Sequence, residues 1–291
     1  MLAAIALFWY GIRRSLKPLE RLREEIASRS PVDLRPVVEE DKPQEIRPLV
    51  GALNQLLTRL NRAIDGQKRF IANAAHQLRT PLAGLKTHAE LARRDPGQSD
   101  MRALLDMIAG ETERTSHLVN QLLTLARTEP GAGPAAVRDP VNVREVANRA
   151  VQSWVPKALG KNIDLGFELE DGWILGDALL LRELLANLVD NAIAYTDPGG
   201  AVTVRTRLAD GGVCLEVEDN GIGIPESERP HVFERFYKVT GTGGEGCGLG
   251  LAIVSEIADR HEAQVQISTP SQGRGTCMRV VFRRLAHAPR S

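Results

Sequence analysis

From residue 46 to residue 126 the apolar residues recur at three-four spacing with a single sharp interruption, and no other feature constrains the fold of this 291-residue chain as strongly. Ile46, Leu49, Leu53, Leu56 and Leu60 are spaced 3-4-3-4, the seam of a coiled coil. Leu56, Leu60 and Ile64 are separated by two successive fours, a stutter that locally unwinds a left-handed coil. The seam resumes as Ile71, Ala75, Leu78, Leu82, Leu85 and Ala89. Asp95-Pro96-Gly97 breaks the helix and Ser99 is placed to cap the next one. Met101, Leu105, Ile108, Thr112, Thr115, Val119, Leu122 and Ala126 then repeat 4-3-4-3-4-3-4. Two long helices joined by a tight turn expose more apolar stripe than one hairpin buries, so a dimeric four-helix bundle is expected.

The segments before the seam differ in texture. Leu2 to Ile12 is an uncharged apolar run of 11 residues followed by Arg13, Arg14 and Lys17. At 1.5 Å per residue it reaches about 16 Å, roughly half of a hydrocarbon core, so residues 1–12 read as a partial transmembrane segment with the basic residues on the cytoplasmic side. Residues 13–28 place Leu16, Leu19, Leu22 and Ile26 among charges, an amphipathic helix. Pro31, Pro36 and Pro43 prevent its continuation, so helix, extended connector, helix is expected over the first 65 residues or so.

Beyond the seam, residues 129–140 read as a linker and the texture from Val141 becomes α/β. Alternating strands are expected at 201–208, 213–219 and 277–282, with helices near 143–158, 177–195 and 249–260. Layered helices on a mixed sheet follow. The 37 basic and 37 acidic residues cancel, which removes any global case for nucleic-acid steering. The three cysteines, Cys214, Cys247 and Cys277, have no metal-site spacing and fit free thiols in a reducing compartment.

Four features carry chemistry. His76 lies off the buried stripe, and Pro81 removes a helix hydrogen bond one turn later, so an exposed imidazole sits beside an irregular turn. Taken alone, such a histidine reads as a solvated surface residue. Asn187 and Asn191, four apart, share one helix face, and their amide oxygens are hard ligands suited to Mg²⁺. Asp219-x-Gly221-x-Gly223 follows a strand: the acid can accept from an adenine amino group and the glycines let the chain approach the base. Residues 241–250 contain six glycines and lead into a helix, a segment suited to phosphates.

In this order, His76-Gln-Leu-Arg-Thr-Pro, Asn187-x3-Asn191, Asp219-x-Gly-x-Gly, Phe233-Glu-Arg-Phe and Gly246-x-Gly-Leu-Gly resemble the H, N, G1, F and G2 boxes of bacterial sensor histidine kinases. The resemblance covers nearly the whole chain from about residue 13. It implies an α+β multidomain protein: a HAMP-like linker at 13–65 with Pro18 and Glu45, a dimerisation and phosphoacceptor hairpin at 66–128, an α/β sandwich ATP-binding domain of GHKL (Bergerat) type at 141–285, and a tail at 286–291. It further implies autophosphorylation of His76 from ATP and transfer to a response-regulator aspartate, in a homodimer on the cytoplasmic face of the bacterial inner membrane, with no nucleic-acid partner.

By the same resemblance, Asn187 and Asn191 hold Mg²⁺, Tyr195 flanks the adenine, Asp219 reads its amino group, and Arg235 and Lys238 meet the phosphates. Gly221, Gly223, Gly246, Gly248, Leu249, Gly250 and Thr276 complete the nucleotide contacts. Thr80 matches the position that orients water for dephosphorylating the regulator. Two positions depart from the pattern. Gln77 stands where Glu or Asp is common; it can accept a ring N–H but carries no charge, so a slower kinase is expected. Ala194 stands where Lys or Arg is frequent. A GHKL ATPase or chaperone-like machine would place a general-base Glu where Asn187 stands, and an amide cannot activate water, which favours transfer over hydrolysis. A third reading, a pseudokinase that only sequesters or dephosphorylates its regulator, conflicts with the intact glycines and asparagines.

Overall fold

The computed structural model describes residues 1–30, 33–38, 43–44, 46–93, 98–128, 138–209, 212–239, 246–271 and 273–285. Pro31, Glu45, the Asp95-Pro96-Gly97 turn, most of the 129–140 linker, residues 240–245 of the glycine segment and the 286–291 tail lie outside them. The chain divides into two compact units, Met1–Ala75 and His76–Ser291.

In the first unit the apolar run and the amphipathic segment form a single helix, α1 (Leu2–Ser28), which runs through Pro18. Among the described residues no helix is long and apolar enough to cross a membrane. The second helix, α2 (Arg47–Ala92), continues unbroken through the stutter at Leu56, Leu60 and Ile64 and on past Pro81. The connector is irregular at 33–38 and is pinned by Asn54, whose side chain accepts from the Val37 N–H at 2.7 Å and donates to the Val37 carbonyl at 2.9 Å. A two-way amide clamp of this kind satisfies both backbone groups of a residue that has no ladder partner. Val37, Leu22 and Val50 are buried together with Leu53 against them, so the connector shares a small core with both helices.

The second unit takes in the rest of α2, the helix α3 (Gln98–Thr128) and a layered α/β domain. A Cβ on Gly84 of α2 would lie 3.8 Å from the Glu111 side chain of α3, ordinary van der Waals contact. Ile71, Leu82 and Leu105, all on the expected seam, remain more than half exposed in the single chain. The domain opens with β1 (Asp139–Asn142), which starts inside the stretch expected to be linker because it pairs antiparallel with β3 (Trp173–Gly176). Between them come α4 (Val143–Gly160) and β2 (Asp164–Leu169). Then follow α5 (Ala178–Tyr195), β4 (Ala201–Ala209), β5 (Gly212–Asp219), α6 (Gly250–Arg260), β6 (Gln264–Ser268) and β7 (Cys277–Arg283).

The main sheet has the order β2-β4-β5-β7-β6, parallel only between β2 and β4. Side chains at 202, 204, 213, 215, 217, 280 and 282 are buried with those of Leu184, Leu188, Ile253 and Ile257 from α5 and α6. Burying this apolar surface is the main source of the domain's stability. The other face carries charge: Arg205, Glu216 and Arg279 are register partners on three successive strands. Glu216 is almost fully buried there, bonded to Arg207 at 2.7 Å and Arg279 at 2.9 Å. Burial works to raise its pKa, but the two guanidinium groups outweigh it and the carboxyl titrates below the ordinary range.

His261, at the end of α6, is buried and joins two helices. Its Nε2 accepts from the Asp177 N–H at 3.0 Å and its Nδ1 donates to the Ile257 carbonyl at 2.7 Å, which selects the neutral ring. Burial depresses its pKa below 6.5. The unfolded chain therefore binds this proton at higher pH than the folded one, so the stabilisation is complete above 6.5 and is lost as pH falls through that value toward the lower folded one. Thermal unfolding from pH 8 down to pH 5 is expected to show a steeper decline for the wild type than for His261→Gln. Parallel profiles would remove His261 as the cause.

Candidate nucleotide site and phosphoacceptor helix

A cavity of about 520 Å³ lies in the second unit, walled on one side by α5, the end of β5 and the start of α6, and on the other by α2 and α3. Of the residues expected from sequence, Gln77, Thr80, Asn187, Asn191, Tyr195, Asp219, Gly223, Lys238, Gly246, Gly248, Gly250 and Thr276 line it. Four do not. His76 is exposed on α2, beside the lining residue Gln77. Gly221 donates its N–H to Asp219 and is not among the lining residues. Leu249 is wholly buried and precedes α6. Arg235 bonds Glu256 at 2.8 Å on α6, away from the lining, so it reaches a phosphate only by leaving that partner.

Asp219 is fixed by its backbone neighbours. Its Oδ1 accepts from the N–H of Gly221 at 2.9 Å and of Thr276 at 3.2 Å, while Oδ2 has no partner among the described residues. Burial raises its pKa against the pull of those two bonds. One oxygen is thus tied to the frame, and the other is left for a ligand in a residue that lines the cavity. The approach of Thr276 depends on Gly275, whose φ is +99° and where a Cβ would lie 1.9 Å from the Asp219 carbonyl oxygen. No side chain fits there. Arg274 adds a tie, donating to the Gly221 carbonyl at 3.3 Å and to Asp197 at 2.8 Å.

The two asparagines meet at the start of α6. A Cβ on Gly250 would lie 3.1 Å from Asn187 Oδ1, 3.2 Å from Asn191 Nδ2 and 3.4 Å from Asn191 Oδ1. Glycine therefore keeps open a small cradle faced by the two side-chain amides, whose oxygens suit a hard cation that keeps its own waters. Nearby, Phe236 has a left-handed φ of +67° and donates its N–H to the Gly248 carbonyl at 2.8 Å, so the Phe233-Glu-Arg-Phe segment grips the far end of the glycine segment. Tyr237 lines the cavity and donates a short hydrogen bond to Glu228. Where Ala194 lacks a cation, Lys161 arrives from the end of α4. Its Nζ donates to the Ile193 carbonyl at 2.9 Å and the Ala194 carbonyl at 2.5 Å, so it caps α5 and is not a lining residue.

Sequence reasoning missed Gln121. It lies on α3, buried between Leu118 and Leu125, and its Nε2 donates to Asn187 Oδ1 at 3.0 Å. The signal was present: Leu118 and Leu125 are seven apart and Gln121 falls between them, a second apolar line beside the seam. Arg260 Nη1 also donates to the Arg127 carbonyl at 3.2 Å, fastening the end of α3 to α6.

Three domain families match the chain in order. They are the Sensor protein PhoQ-like HAMP domain over residues 16–62, the His Kinase A (phospho-acceptor) domain over 67–131, and the Histidine kinase-, DNA gyrase B-, and HSP90-like ATPase over 176–286. The sensor protein CutS of Streptomyces coelicolor is 34% identical over 290 residues, which cover 97% of this chain and 69% of CutS. The chain belongs to the bacterial two-component sensor histidine kinases. The sensor protein kinase PmrB of Pseudomonas aeruginosa is 38% identical over 274 residues, 92% of this chain and 56% of PmrB. Full-length ShkA, solved in complex with AMPPNP, superposes with a TM-score of 0.57 at 26% identity, covering 76% of this histidine kinase chain and 47% of ShkA. The chain spans about half the length of curated relatives such as PmrB. His76 falls within the phospho-acceptor match, and every cavity residue from α5 onward falls within the ATPase match, which implies ATP binding.

Proposed function

We propose that this histidine kinase transfers the γ-phosphoryl group of ATP to His76 and then to an aspartate of a response regulator. The observation that carries the reading is the cavity: one wall holds the nucleotide residues and the other holds Gln77 and Thr80, immediate neighbours of His76 on α2. The neutral imidazole attacks the γ-phosphorus; a P–N bond forms as the bond to the bridging oxygen breaks, ADP departs, and the ring loses its N–H proton. Gln77 accepts that N–H through its carbonyl oxygen but cannot take the proton up, so the proton passes to water. Asp219 Oδ2 accepts from the adenine amino group, Tyr195 flanks the base, and Lys238 offers positive charge to the phosphates. Asn187 and Asn191 would hold Mg²⁺, which when bound offsets the phosphate charge. Thr80 is the residue assigned to orienting water in a regulator-phosphatase reaction.

A homodimer follows from the seam: Ile71, Leu82 and Leu105 need a partner surface that the single chain does not supply. The HAMP match and the sensor relatives support a place at the cytoplasmic face of the inner membrane, reached through the apolar start of α1. Incubating the chain with γ-labelled ATP and Mg²⁺ is expected to yield protein-bound label that is acid-labile and alkali-stable, the signature of a phosphoramidate. Absence of label, or label that survives acid, would overturn the assignment.

A further inference from the structure

We infer that Gln121 is a positioning residue that competes with the divalent cation for Asn187, so that the metal form of the nucleotide binds more weakly while α3 holds this contact. The inference rests on the reading of the cavity as the MgATP site. Its basis is the identity of the atom involved. Gln121 Nε2 donates to Asn187 Oδ1 at 3.0 Å, and that oxygen is one of the two facing the Gly250 cradle. The Gln121 N–H occupies one of that oxygen's two lone pairs and holds a partly positive hydrogen beside any cation on the other, which weakens the oxygen as a cation ligand. Asn191 has no such competitor among the described residues, so the two halves of the ligand pair are not equivalent.

The contact is held from both ends. The Cys247 thiol donates to Gln121 Oε1 at 3.0 Å, and burial raises its pKa, which keeps it a donor. Asn187 Nδ2 donates to the Glu183 carbonyl at 2.8 Å, which fixes the amide's orientation. Asn187, Gln121 and Cys247 therefore form a chain of side-chain hydrogen bonds linking α5, α3 and the glycine segment. Gln121 is only 8% exposed, so breaking its bond to Asn187 leaves a buried amide to be satisfied elsewhere. Moving α3 away from α5 releases the oxygen, and loss of the Cys247 bond loosens the amide that holds it.

The test is calorimetric binding of AMPPNP to the full chain, once with Mg²⁺ and once with EDTA, for wild type, Gln121→Met and Cys247→Ala. Methionine keeps length and removes the donor. Gln121→Met is expected to tighten the Mg²⁺ form by about threefold to tenfold while the EDTA value moves by less than about twofold. Cys247→Ala is expected to move the same ratio in the same direction by a smaller factor. A general packing defect would shift both conditions together. An unchanged ratio in both variants would overturn the inference, as would a weaker Mg²⁺ form, which would make Gln121 a ligand rather than a competitor. If Gln121→Met fails to fold, Cys247→Ala decides by the same criterion. Wild-type protein that binds AMPPNP in neither condition would instead overturn the reading of the cavity itself.

Discussion

Replacing His76 by Gln is expected to reduce acid-labile labelling from γ-labelled ATP on the order of a thousandfold or more, to background, since the amide that replaces the imidazole is not a nucleophile. Nucleotide affinity is expected to stay within about twofold. The two results belong together because of where His76 sits. It is exposed and does not line the cavity, so its loss removes neither packing nor a contact to nucleotide. The carbonyl of His76 accepts from Thr80 Oγ1 at 3.5 Å, and a main-chain acceptor survives the substitution. Label that persists in His76→Gln would move the acceptor to another residue. Lost affinity would place His76 inside the nucleotide site, contrary to the geometry.

Asp219→Asn is expected to have the opposite signature: ATP affinity falls on the order of a hundredfold or more and labelling falls with it, with little change in melting temperature. The direction follows from the two backbone N–H groups on Oδ1. They need an acceptor, so the new amide must place its oxygen there and turn its NH₂ to the position of Oδ2. An adenine amino group then meets a donor where it needs an acceptor. Inosine triphosphate, with a carbonyl at that ring position, is expected to lose far less affinity and to narrow the gap with ATP. Calorimetric titration of both nucleotides measures this; ATP binding within a few fold of wild type would exclude Asp219 as the reader of the base.

The long elements were legible because they follow from period alone. The strands expected at 201–208, 213–219 and 277–282 are β4, β5 and β7 within a residue or two, and α5 starts at Ala178 after the Asp177 cap. Pattern was less informative where tertiary pairing decides. β1 is four residues long and exists because Trp173–Gly176 pairs with it, which no local signal at 139–142 reveals. At the site, the aspartate and asparagines were legible as chemistry, and their surroundings were not. Arg235 reads as a phosphate ligand by position, yet Glu256 lies 21 residues on, one turn short of the end of α6, and captures it. Gln121 was hidden for a related reason: its role depends on α3 lying against α5, and spacing shows a face without showing what covers it.

The ionic row on the open face of the sheet has a consequence for assembly. A strand that slips by one residue turns every side chain over. On β5 that would drive Glu216 and Glu218 into the layer occupied by Val213, Leu215 and Val217, and would take Glu216 away from its register partners Arg205 and Arg279. The alternating charges across β4, β5 and β7 thus act as a key that only one alignment of the strands turns. The same lattice also makes this face a poor template for a second sheet: stacking onto it would strip water from several guanidinium and carboxylate groups at once. A domain that buries one face of its sheet under helices therefore carries, in three strand positions, both its alignment mark and its guard against fibre-like growth.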